Sequence, residues 1–291
     1  MHYRGRFAPS PTGELHFGSL VAALASWLCA RHAGGRWLLR VEDIDAPREV
    51  PGSATAIISS LQRLGLRPDA PPLYQSTRGD TYLIALDRLR DGGHAFPCWC
   101  SRTELLAAGG MHRDGRCIAV PDPARPPAWR LRVAPGEIAF DDELQGPQLQ
   151  DVREAVGDFV LRRSDGLWCY QLACVVDDGK QRITDVVRGH DLLDSTPRQI
   201  LLQRLLGLPT PRYLHLPLAV DETGRKLSKS DADRPLDAVP APDLLRRALA
   251  FLGLPGRTLR GDNAPALLDS ACAAFDPSVL PRGAQLAVSL D

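Results

Sequence analysis

A parallel α/β fold, interrupted by one smaller inserted subdomain and followed by a short helical region, is what this sequence predicts. Three observations carry that prediction. Short apolar runs alternate with stretches of helical period over roughly the first 95 residues. Between about Cys98 and Asp151 the chain turns rich in Pro, Gly and Arg, as in VPDPARPPAWR. The alternation then resumes with FVLRR and continues to about Ser230. With 291 residues, 44% hydrophobic and 24% charged, the chain can bury a sizeable core, which excludes global disorder. Its 35 basic and 35 acidic side chains cancel. That balance argues against a polybasic nucleic-acid coat and leaves room for a local basic patch.

The elements follow in order. Residues 4–8 form a short strand that leads into the turn PSPTG. Leu20, Ala23, Leu24, Trp27 and Leu28 recur at helical spacing, so a helix opens near Gly18 and Ser19. RWLLRV, from Arg36 to Val41, is a buried strand between a glycine pair and an acidic cluster. Ser53 is placed to cap a helix that carries Ile57, Ile58, Leu61 and Leu64 and ends at Gly65. Leu83, Leu86 and Leu89 mark a further helix that stops at Gly92 and Gly93. Strand, helix, strand, helix, helix calls for right-handed crossovers in a parallel sheet. In the Pro-rich stretch, alternating runs such as WRLRV predict antiparallel strands. After FVLRR come WCYQLACVVDD, ITDVVRG and a helix from Ser195 to Leu206. Two amphipathic stretches follow, Leu244 to Leu252 and Ala264 to Phe275. The expected divisions are 1–97, 98–155, 156–235 and 236–291. The opening MHYRGRFAPS lacks the apolar centre of a signal peptide, and Arg31 and His32 break the apolar stretch after Gly18. A cytoplasmic protein without a membrane span is therefore expected. Its cysteines are then reduced, and Cys29, Cys169, Cys174 and Cys272 read as small core residues.

Two segments point to a nucleotide. In RFAPSPTGELHFGS a strand stops at two prolines, turns at Gly13 and gives way to a helix. Unpaired N–H groups and the positive dipole end make such a helix start a seat for phosphate. His16 can donate there, and Gly18 leaves space for an adenine ring near the backbone. A plain Pro-rich turn entering a helix would look the same in isolation. The second segment is Lys226-Leu227-Ser228-Lys229-Ser230. Only three of the basic residues are lysine, and two of them stand here, three apart. Arginine would serve a solvated loop equally well, so these lysines point to phosphate charge that develops during a reaction.

PSPTGELHFGS resembles the HIGH signature of class I aminoacyl-tRNA synthetases, with His16-Phe17-Gly18-Ser19 at its four positions. KLSKS resembles their KMSKS loop. The fourth HIGH position is Ser19 in place of His, so no second catalytic histidine is implied there. RFAPSPTG, Val41-Glu42-Asp43-Ile44-Asp45, Tyr170 with VVDD, and Asp185-Val186-Val187-Arg188-Gly189 resemble the glutamyl and glutaminyl branch, over about Arg4 to Asp231. The resemblance implies a Rossmann-like catalytic domain that uses ATP and Mg²⁺. It implies ATP contacts at Pro9, Gly13, His16, Gly18, Ser19, Lys226, Ser228 and Lys229, with His16, Lys226 and Lys229 catalytic. It also implies glutamate contacts at Arg6, Ala8, Ser10, Glu42, Tyr170 and Arg188. Glu42 is expected at the α-ammonium and an arginine fork at the γ-carboxylate. Either Arg6 or Arg188 can be that arginine, and an Arg6–Glu42 ion pair between neighbouring strands is the structural alternative.

Cys98, Cys100, His112 and Cys117 offer four N/S ligands within twenty positions, a set that suits one structural Zn²⁺. Some glutamyl synthetases carry a similar C-x-C…C set with tyrosine as fourth ligand. No tyrosine lies between Cys100 and Cys117, so His112 takes that slot, with Asp114 and His94 as alternatives.

Only 61 residues follow Ser230, too few for the anticodon-binding region of ordinary glutamyl synthetases. RGHDLLDSTPRQ and the loop ending in Ser230 resemble the group within the branch that lacks this region. That group transfers glutamate to the queuosine base of tRNA(Asp), and the resemblance implies a tRNA(Asp) partner; nothing in the sequence suggests an obligate dimer, so a monomer is expected. A truncated synthetase that charges a tRNA 3′ end, and a non-enzymatic synthetase relative, are the other two readings.

Overall fold

The computed structural model describes residues 2–221, 223–225, 236–254 and 259–288. In chain order the elements are β1 (Arg4–Phe7), α1 (Phe17–His32), β2 (Arg36–Val41), α2 (Ser53–Arg63), β3 (Leu73–Tyr74), α3 (Gly79–Asp91) and β4 (Ala95–Cys98). Next come α4 (Arg102–Ala107), β5 (Ala128–Leu131), β6 (Glu137–Asp142), β7 (Gly146–Asp151), α5 (Val152–Ala155) and β8 (Val160–Arg162). The rest are α6 (Tyr170–Gln181), β9 (Asp185–Gly189), α7 (Thr196–Leu206), β10 (Arg212–Leu216), β11 (Leu218–Val220), α8 (Ala241–Phe251), α9 (Ala264–Ala274) and β12 (Gln285–Ala287).

The parallel arrangement follows from the crossovers. β1, β2 and β3 pair in parallel. β9 pairs in parallel with β10 and β10 with β6, while β7 returns antiparallel on β6. β9 runs beside β1, where Thr184 N–H donates to the Arg4 carbonyl at 3.0 Å. The chain thus leaves β1 in one direction and returns at β9 in the other. This is the switch point at which open α/β sheets leave a crevice beyond their strand ends. WRLRV forms β5, paired antiparallel with β4 and β8 as its alternation predicts.

α1 is buried on most of its surface, with Leu20, Ala23, Leu24, Leu28 and Ala30 fully enclosed. One side packs on β1 and β9 and another on α8 and α9, so the C-terminal helices share its core. A second core gathers Tyr82, Leu86 and Leu89 of α3 with Leu172 and Val176 of α6 and Ile200 of α7.

Two local expectations change. Ser53 is the first residue of α2, not its cap, and Gly52 caps the helix at φ 81° with no side-chain bond. The Ser53 hydroxyl instead accepts from Gly13 N–H at 3.0 Å and donates to the Gly13 carbonyl. In α3 the core face is Tyr82, Ala85, Leu86 and Leu89, whereas Leu83 is exposed.

Candidate active site

A cavity of about 310 Å³ opens at the crevice. Arg6, Phe7 and Ala8 line it from the end of β1, Arg188 and Gly189 from the end of β9, and Leu216 from the end of β10. The start of α1 closes one side with His16, Gly18 and Ser19, and Pro9 and Ser10 line the approach. β1 ends because prolines 9 and 11 cannot continue its ladder. Their carbonyls instead accept from Glu42 N–H and Val50 N–H, both at 2.9 Å, which fixes the loop against the β2 end. His16 is the N-cap of α1, and its Nδ1 accepts from Ser19 N–H at 3.3 Å. Among the described residues, a Cβ on Gly18 would meet only the His16 ring, at 3.4 Å, an ordinary contact. The packing of the described residues therefore does not require glycine there. Gly13 is absent from the lining; at φ 136°, a conformation that favours glycine, it shapes the loop through its bonds to Ser53. Lys226, Ser228 and Lys229 lie outside the described residues.

The floor of the cavity is a charged network. Arg6 Nε donates to Asp178 Oδ1 at 3.1 Å and Arg40 Nη1 donates to the same oxygen at 2.7 Å. The two guanidinium groups outweigh burial and hold the Asp178 carboxyl down to about 2. Arg6 is thus paired with Asp178, and the Arg6–Glu42 pair considered from sequence is replaced by Arg40 facing Glu42 at 3.5 Å. Burial dominates at Glu42 and lifts its carboxyl to about 7 despite Arg40. Its Oε1 is buried without a hydrogen-bond partner among the described residues, and the side chain sits behind the lining rather than in it.

The two arginines left open by the sequence differ in their spare donors. Arg188 gives Nε to His215, Nη1 to Gln199 and the Tyr170 hydroxyl, and Nη2 to Thr196 and the Leu192 carbonyl. All five of its N–H groups are thereby committed. Arg6 has only the Asp178 bond and a long contact to Cys174 Sγ at 3.9 Å, so Nη1 is uncommitted among the described residues. Thr12, Glu14, Asp191 and the run Leu216 to Ala219 also line the cavity and went unread in the sequence. Asp191 stands in RGHDLLDS, where its acidity was the available signal.

A second cluster lies in the insertion. Cys98, Cys100, His112 and Cys117 place their ligand atoms within 4.8 Å of one another, whereas Asp114 and His94 are not in the set. Asp114 instead pairs with Arg153. His112 is buried, and its Nδ1 bonds Asp158 Oδ2 at 2.9 Å. Nε2 is buried with no partner among the described residues, as a metal-ligating histidine oriented by a carboxylate would be. Three soft thiol donors and one imidazole fit Zn²⁺.

The fold and the cavity define a class. Residues 2–279 match the model of the family described as tRNA synthetases class I (E and Q), catalytic domain. The chain belongs to that family. A glutamate-tRNA synthetase from Elizabethkingia anophelis superposes with a TM-score of 0.82 at 26% identity, over 100% of this chain and 68% of that one. The likeness narrows further with a glutamyl-Q tRNA(Asp) synthetase from Xanthomonas axonopodis pv. citri, 55% identical over 98% of this chain and 94% of that protein. One of the same name from Burkholderia cenocepacia is 53% identical over 87% and 88%. Within the family, the chain falls in the glutamyl-Q tRNA(Asp) synthetase group.

Proposed function

We propose that the cavity activates L-glutamate with ATP and that the activated glutamate is passed to tRNA(Asp), onto queuosine at the wobble position. The observation that carries this reading is the convergence on one cavity of the β1 end, the α1 start, Tyr170 and Arg188. In the first step a glutamate α-carboxylate oxygen bonds the α-phosphorus of ATP, the bond to the β-phosphate oxygen breaks, and pyrophosphate leaves. In the second, a hydroxyl of the queuosine cyclopentene ring bonds the glutamyl carbonyl carbon and AMP leaves. No protein nucleophile is required.

The geometry of the described residues and the chemistry of the substrates support the following roles. Arg6 donates its uncommitted Nη1 to the substrate γ-carboxylate. Arg188 and Tyr170 form the wall beside it, and Glu42 answers the α-ammonium. The start of α1, His16 and Ser19 receive the phosphates, and Lys226 and Lys229 offset the charge that develops on them. Mg²⁺ bound with the nucleotide would supply further neutralisation of the phosphate charge. Cys98, Cys100, His112 and Cys117 would hold one structural Zn²⁺, which would cross-link the insertion. No helix among the described residues is long and apolar enough to cross a membrane. We place the protein in the cytoplasm as a monomer.

The test is incubation with ATP, labelled glutamate and tRNA(Asp) with and without queuosine. The expected result is label that depends on queuosine and survives enzymatic removal of the tRNA's 3′-terminal adenosine before incubation. Label that requires a free 3′ end selects the truncated charging enzyme. Absence of any glutamate-dependent ATP–pyrophosphate exchange selects a non-enzymatic relative.

A further inference from the structure

Behind Arg188 runs a buried chain that the activation chemistry does not call on. Asp142, at the end of β6, and His215, on β10, have fully enclosed side chains. Asp142 Oδ2 lies 2.6 Å from His215 Nδ1, and Arg188 Nε donates to His215 Nε2 at 2.9 Å. Thr196 Oγ1 stands 3.3 Å from the same Nε2. Arg188 and Tyr170, at the far end of the chain, line the cavity.

We propose that Asp142 and His215 are positioning residues for amino-acid binding: Asp142 fixes the His215 tautomer, and the Nε2 lone pair so presented holds Arg188 in the cavity wall. This rests on the reading that the cavity takes glutamate. Arginine only donates, so the ring nitrogen it faces must carry a lone pair. A carboxylate only accepts, so Nδ1 must carry the proton. Burial and the nearby Arg188 push the His215 pKa down to about 4, against the pull of Asp142, so one proton is present near neutrality. The other Asp142 oxygen accepts from Leu144, Gln145 and His215 N–H groups, which locks the carboxylate in place. With Nε pinned, the remaining four N–H groups of Arg188 can reach Gln199, Thr196, the Leu192 carbonyl and the Tyr170 hydroxyl together. Stability alone explains such a chain poorly. Buried charged groups are commonly replaceable by apolar side chains at little cost, whereas a fixed guanidinium at a ligand wall is not.

Asp142→Asn is the near-isosteric test. Its amide oxygen can keep the backbone bonds while its NH₂ faces Nδ1. The ring proton then moves to Nε2, where it meets Arg188 Nε–H. In ATP–pyrophosphate exchange the expected result is a KM for glutamate raised about tenfold with the KM for ATP within about twofold. The His215 ¹⁵N signals should switch from the Nδ1-protonated to the Nε2-protonated pattern. His215→Gln, whose amide oxygen can stand near the Nε2 position, should hold the KM for glutamate within about threefold of the parent, while His215→Leu loses it. A glutamate-dependent parent with an unchanged KM in Asp142→Asn overturns the positioning role alone, as does an unswitched tautomer. Equal effects on both substrates overturn it too. If Asp142→Asn fails to melt cooperatively, the Gln and Leu pair at 215 decides, and equal KM values there overturn the proposal. A parent without glutamate-dependent exchange instead overturns the cavity assignment itself.

Discussion

At Glu42 burial works against charge, and the consequence is a pH dependence. The carboxyl titrates near 7, so it is mostly ionised at pH 8 and mostly neutral at pH 6. An ammonium needs the carboxylate form. The KM for glutamate should therefore rise as pH falls through 7, by up to about tenfold per unit below it, while the KM for ATP stays flat. Glu42→Gln should sit at the high value and lose that dependence; a KM for glutamate flat from pH 8 to 6 in the parent defeats the assignment. Arg6 gives a second contrast. Arg6→Ala leaves Asp178 paired with Arg40, so the fold should survive. The KM for glutamate should nonetheless rise at least about tenfold, well beyond any change for ATP. Equal changes would mean that Arg6 is only structural. Arg6, Tyr170 and Arg188 were legible as residue types in RFAPS, WCYQ and DVVRG. Arg40, Asp142 and His215 were not. Arg40 meets Asp178 across 138 positions and Asp142 meets His215 across 73, and no local spacing reports contacts made through a crossover.

Elements were legible where one period ran long enough. α1, α2, α7, α8 and α9 lie where the sequence predicts helices. The run YLHLPLAV went unread because a short apolar run fits a buried strand or a piece of buried helix equally well. Pro217 splits it into β10 and β11. The β6–β7 hairpin went unread because DDELQGPQLQD is polar on both faces. At the α1 start, Gly18→Ala should fold normally, since among the described residues its Cβ meets only an ordinary contact. If adenine uses that space, the KM for ATP should rise several-fold at an unchanged Tm; an unchanged KM removes the adenine argument. In the insertion, the C-x-C spacing was informative only with His112, five residues before Cys117. The purified protein should hold about one zinc per chain by metal analysis, and His112→Ala should lose most of it. Freshly purified protein without zinc rejects the site.

Over the whole molecule, the C-terminal segment braces the cavity rather than trailing from it. Phe251 of α8 meets Phe17 edge-on at 6.1 Å, next to the His16 cap. β12 pairs in parallel with β11, whose Leu218 and Ala219 line the cavity. Leu218 N–H donates to the Ala284 carbonyl and Val288 N–H to the Val220 carbonyl, both at 2.9 Å. Gln145 Nε2 reaches the Gly283 carbonyl at 2.9 Å and the His215 carbonyl at 2.7 Å, joining this edge to the hairpin that carries Asp142. A chain ending at Arg282 loses the three of these bonds that reach Gly283, Ala284 and Val288. At about 1 kcal/mol each, offset by the disorder gained, the net loss is about 2 kcal/mol. For a protein of 291 residues that lowers Tm by about 3 °C. Because β11 is then an unsupported wall, the KM for ATP or glutamate should rise as well. A shortened chain with the parent's Tm and both KM values would mean that β11 holds the cavity without its partner strand.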